Sequence, residues 1–95
     1  MSATALVRIK RPYAGGMVEI NIWRVSDPVP PCEHCFKYRL VYVVAGQRAD
    51  GFDNERSKGD HRHEREVETP YLFTSVEALL ADFWTAVDTY GGGGK

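Results

Sequence analysis

Thr74-Ser75-Val76-Glu77-Ala78-Leu79-Leu80-Ala81-Asp82-Phe83-Trp84-Thr85-Ala86-Val87 is the stretch that decides the fold. Val76, Leu79, Leu80, Phe83, Trp84 and Val87 recur at helical spacing and line up as one apolar stripe on a helix of about four turns. Thr74 and Glu77 have the spacing of a capping box, in which the hydroxyl accepts from the Glu77 amide and the carboxylate reaches back. Glycines from Gly91 onward end the helix. Such a stripe has to be buried against another surface, and the chain upstream offers only strands.

Those strands read by alternation. Residues 4–11 alternate Ala5, Val7 and Ile9 with Leu6, Arg8 and Lys10, and residues 17–25 put Val18, Ile20 and Ile22 on one side. A loose turn at Pro12–Gly16 joins them into a hairpin. Pro28, Pro30 and Pro31 make Ser26–Cys35 a loop, since each removes a backbone donor. Phe36–Val44 is the clearest strand, with Tyr38, Leu40, Tyr42 and Val44 on one face. A turn at Ala45-Gly46-Gln47 leads into a fourth strand, Arg48–Asp53, and Glu64–Glu68 reads as a fifth, at the edge. The sequence therefore predicts an α+β domain over residues 1–90. It has a four- or five-stranded antiparallel sheet, with one C-terminal helix packed on one face. Residues 91–95 read as a flexible Gly-rich tail. The second sheet face is left for a ligand or a second subunit, so a homodimer is a further expectation.

Ninety-five residues suffice for one self-supporting domain, and 43% hydrophobic with 26% charged residues is ordinary for a globular chain. No apolar run approaches a membrane span and no signal-peptide pattern is present, so no membrane association is expected and a cytoplasmic location is. The net charge of −1 excludes a polycation, so any anionic partner must meet a local patch.

That patch is Asp53-Asn54-Glu55-Arg56-Ser57-Lys58-Gly59-Asp60-His61-Arg62-His63, which reads as an exposed loop after the fourth strand. Imidazole titrates near neutral pH, and residues two apart in extended chain project to the same side. His61 and His63 could then act as general acid and base on an RNA phosphodiester. Arg56, Lys58 and Arg62 would bind phosphate, and Lys58 would stabilise developing charge. Asp53 would orient a histidine, with Asn54 beside it. The plain alternative is a solvated polar connection in which Asp53 and Asn54 end the strand as an Asx turn. Trp23, Tyr38, Tyr42 and Phe52 are read as core or subunit interface more than as a base-stacking platform.

No cofactor is needed for the acid–base reading. Two metal readings stand beside it. Cys32-x-x-Cys35 with His61-x-His63 has the ligand types of a structural zinc site, although one C-x-x-C is a weak signal. Asp53, His61 and His63 have those of a catalytic metal. Otherwise Cys32 and Cys35 are reduced thiols in a proline-rich loop.

Several motifs together resemble one family. Tyr38–Val44, Phe52–His63, Pro70-Tyr71-Leu72-Phe73 and Val76–Phe83 occur in the order of the TumE family of small bacterial toxins, with Ile22-Trp23-Arg24-Val25 and Pro28–Pro31 also fitting. The likeness covers about residues 17–88. It implies a toxin encoded beside a helix-turn-helix antitoxin, while RNA as the target is the expectation from the histidines and their basic neighbours. It carries Asp53, Asn54, Lys58, His61 and His63 as positions of interest, while Cys32 and Cys35 lie outside the pattern. A non-catalytic module binding nucleic acid or protein is the alternative.

Overall fold

The computed structural model describes residues 3–28, 30–55 and 59–92. Six strands are followed by one helix: β1 (Ala3–Tyr13), β2 (Gly16–Val25), β3 (Phe36–Val44), β4 (Gln47–Glu55), β5 (Gly59–Glu64), β6 (Val67–Pro70) and α1 (Val76–Gly92). The strands pair in chain order, each antiparallel to the next, as one uninterrupted meander.

Tight turns make that order possible. β1–β2 and β3–β4 are joined by two residues each, Ala14-Gly15 and Ala45-Gly46, all four at positive φ. Two successive left-handed residues are the signature of a type I′ turn, whose twist matches that of the strands it joins. The first turn is thus tight rather than loose. Pro12 lies in β1, an edge strand, where proline is tolerated.

α1 lies on one face. Val18, Ile20 and Ile22 of β2, Tyr38, Leu40 and Tyr42 of β3 and Phe52 of β4 form a core with Leu79, Phe83 and Val87 of the helix. Burying each large apolar side chain stabilises the fold by about 1.5–3 kcal/mol. Tyr38, Tyr42 and Phe52 are core, while Trp23 is half-buried with Arg8 over its ring. Tyr13 packs edge-on to Trp84 and donates to Asp88, which ties the first hairpin to the helix. The helix begins one residue later than the capping-box spacing implies. The Ser75 hydroxyl, not Thr74, accepts from a backbone amide, that of Ala78 at 3.0 Å.

The sheet differs from expectation in strand number. Gly59–Glu64, expected as a loop, is strand β5, and the expected edge strand 64–68 is divided by a turn at Arg65-Glu66 into the end of β5 and the start of β6. β5 contains no aliphatic residue, yet its exposure alternates, because His61 and His63 are the residues it buries. α1 includes Gly91 and Gly92, and residues 93–95 lie outside those described. No helix among the described residues is long and apolar enough to cross a membrane.

Candidate functional site on the helix-free face

Pleating sorts the polar residues of β4 and β5 onto two faces. Phe52 packs toward Phe83, so its neighbours Gly51 and Asp53 point away from the helix. The β4–β5 register sets Asp53 opposite His61 and Gly51 opposite His63, so both histidines share that helix-free face. Their rings meet edge-to-face with centroids 4.7 Å apart, and they are only 3% and 8% exposed.

His61 is held at both nitrogens. Its Nδ1 faces the Gly59 carbonyl at 2.9 Å and therefore donates a proton there. Its Nε2 lies in close contact with Asp53 Oδ1, and Glu68 Oε2 is 3.5 Å away. Glu68 comes from β6, where the register sets it opposite His63.

His63 meets a cation instead. Arg48 Nη2 lies 3.1 Å from His63 Nδ1. A guanidinium only donates, so Nδ1 is the acceptor and carries the lone pair. Burial, with the Arg48 charge added, pushes the His63 pKa below its usual 6.5. Two local features deliver Arg48. A bulge in the β3–β4 register pairs Tyr42 with Asp50 and Val43 with Arg48, leaving Ala49 as the extra residue. Unbroken alternation would put Arg48 on the face of Asp50, and the bulge turns it to the other. Gly51 makes room, since a Cβ there would come within 3.2 Å of Arg48 Cδ and 3.3 Å of the Leu40 carbonyl.

Arg62 is not part of this group. It sits on the helix face, where its Nε and Nη2 donate to the two carboxylate oxygens of Asp50 at 3.2 and 2.9 Å, and it lies over the Phe52 ring. Arg56 and Lys58 lie outside the described residues. Asn54 also faces the helix side. It accepts from the Tyr38 amide and donates to the Phe36 carbonyl, clamping β4 to β3.

The four-ligand set Cys32, Cys35, His61 and His63 is not assembled. Both cysteines are free thiols. Cys32 does reach β5, but it meets Asp60, which alternates with His61 and points to the opposite face. Asp60 accepts there from the Tyr38 hydroxyl at 2.6 Å, His34 Nε2 at 2.8 Å and Cys32 Sγ at 3.2 Å. Burial works to raise its pKa, but these three donors outweigh burial and hold it below the usual carboxylate value. His34 Nδ1 accepts from the Phe36 amide at 3.2 Å, so its proton is on Nε2, aimed at Asp60. The ring stacks on Phe73, centroids 3.9 Å apart. Every short contact in this second cluster is a matched donor and acceptor.

Comparison with known proteins adds one decisive finding: a family model described as Toxin TumE matches residues 3–90. The chain belongs to the TumE family. The match extends the likeness read from the motifs into β1 and to the last turns of α1. As a member of a toxin family, the chain is read as the toxin component of a toxin–antitoxin module, which implies an antitoxin partner. No curated protein and no solved structure matches it. The TumE match includes every residue of the helix-free cluster and of the Asp60 cluster.

Proposed function

We infer that this TumE-family toxin cleaves RNA at the helix-free cluster of Asp53, His61, His63 and Arg48, and that a helix-turn-helix antitoxin neutralises it. The observation that supports this reading is the convergence of two imidazoles, a carboxylate and a guanidinium from adjacent strands. Breaking a phosphodiester requires a proton to leave the attacking oxygen and negative charge on the phosphoryl oxygens to be offset. His63, whose pKa burial and Arg48 lower, carries its lone pair on Nδ1, and that lone pair becomes available for the first task when Arg48, which donates to it here, turns to the phosphate. Arg48 has the planar fork for the second. Asp53 and the Gly59 carbonyl fix His61 from both sides, so two free imidazoles working as a bare acid–base pair do not fit this geometry.

The test is purified protein incubated with RNA, alongside a His61→Gln/His63→Gln variant whose fold is checked by circular dichroism. Fragments from the parent and intact RNA from the variant are expected. RNA that is retarded on a gel but intact with the parent would favour a binding module instead. Intact, unretarded RNA from a parent that still arrests growth would place the target elsewhere.

A further inference from the structure

We propose that Asp53, His61 and His63 bind one divalent transition-metal ion. Each offers a ligand atom, and these atoms all lie within 4.8 Å of one another. His61 is already oriented for the task. Its Nδ1 proton is committed to the Gly59 carbonyl, which makes Nε2 the ligating atom, and an ion would take the place of the proton between Nε2 and Asp53 Oδ1. A histidine ligand with its other nitrogen donating to a backbone carbonyl is the usual outer-sphere arrangement of a metal site. Two carboxylates, Asp53 and Glu68, surround His61 Nε2 and offset incoming positive charge.

The second cluster supplies the contrast. Cys32, His34 and Asp60 are as close together, but the Phe36 amide occupies His34 Nδ1 and puts the proton on Nε2, the atom facing Asp60. A metal there would have to displace a matched hydrogen bond at each ligand. On the helix-free face an ion would replace the proton between His61 Nε2 and its co-ligand Asp53, and at His63 it would displace Arg48, whose exposed side chain can withdraw.

The donor set selects the ion. Two imidazoles and a carboxylate suit Zn²⁺ first, with Mn²⁺ a weaker paramagnetic substitute, whereas Mg²⁺ and Ca²⁺ prefer all-oxygen ligands. The proposal rests on the same site as the RNA-cleaving reading and changes the role of His63, since with its lone pair on an ion, water held by the ion would take over as the base, but its test does not depend on RNA.

The full chain, stripped of metal by chelation and dialysed, is titrated calorimetrically with Zn²⁺, Mn²⁺ and Mg²⁺. One Zn²⁺ or Mn²⁺ per chain is expected, with Mg²⁺ far weaker. Asp53→Asn weakens binding by at least ~10-fold, Cys32→Ser leaves it unchanged, and Arg48→Gln tightens it by removing the cation that shares the His63 lone pair. A second measurement needs no variant. The chain has three histidines, and substoichiometric Mn²⁺ should broaden the ring resonances of His61 and His63 before those of His34. No stoichiometric binding, or binding lost in Cys32→Ser with His34 broadened first, would overturn the proposal. Metal bound here with RNA left intact would defeat the nuclease reading alone. RNA cut by a chain that takes up no metal would defeat this one alone.

Discussion

Arg48 Nη2 donates to His63 Nδ1 across 3.1 Å, from a residue that a bulge turns onto the helix-free face. The contact sets the electrostatics of the site, because a fixed positive charge beside a buried imidazole disfavours a second one.

The first prediction concerns titration of His63. Its folded-state pKa is depressed, so the stability it contributes is complete above the unfolded value near 6.5 and is lost as pH falls from there through the folded value. Arg48→Gln removes the second cause and leaves burial, so the midpoint moves part of the way back toward 6.5. Following the ring proton of His63 by NMR against pH in parent and variant checks this. A midpoint unmoved or lowered in Arg48→Gln would show that the guanidinium is not acting on the ring.

Asp60 gives a second, separate acid limb. Its pKa lies below 3.8, so the stability it contributes is present above that value and is lost as pH falls through the lower folded one. Asp60→Ala leaves the buried Tyr38 hydroxyl without its acceptor and is expected to cost about 1–3 kcal/mol at neutral pH. Urea unfolding at pH 7 and pH 3 should show the gap between parent and variant narrowing at the lower pH.

Phe83 tests the helix–sheet interface. It is fully buried against Phe52 and Trp84. Phe83→Ala should cost about 3–5 kcal/mol, a large part of the ~5–15 kcal/mol typical of a small domain. A midpoint of denaturation close to the parent's would mean that the helix is not seated as described.

Gly46 tests the turn. It has φ +78° and a Cβ there would touch nothing within 4 Å, so Gly46→Ala pays only the left-handed backbone cost. A loss of about 1–2 kcal/mol is expected. Thermal denaturation of Gly46→Ala measures it, and an unchanged midpoint would exclude the type I′ turn.

The helix and the first four strands were legible because apolar residues mark them. Leu79, Phe83 and Val87 repeat at helical period, and Ile20, Leu40 and Phe52 alternate along their strands. β5 was not legible, because the residues it buries are imidazoles, and a polar run reads as a loop. Once β5 is a strand, the opposite facing of Arg62 follows from alternation alone. The sequence offers Asp53 and Asn54 alike as partners for a histidine, with an Asx turn as the alternative, and only the β4–β5 register sets Asp53 opposite His61. Arg48 and Glu68 were missed for geometric reasons. One depends on a bulge at Ala49, the other on a turn at Arg65-Glu66, and neither leaves a mark in hydropathy. His34 was missed because its partner Asp60 lies 26 residues away.

The most direct measurement is growth of cells induced to express the chain without its antitoxin, comparing the parent with Asp53→Asn and with the His61→Gln/His63→Gln pair, each shown to be folded. The account predicts arrest by the parent and normal growth with both variants, with cellular RNA fragmented only in the first. Arrest and fragmentation at parental levels in the variants would contradict it.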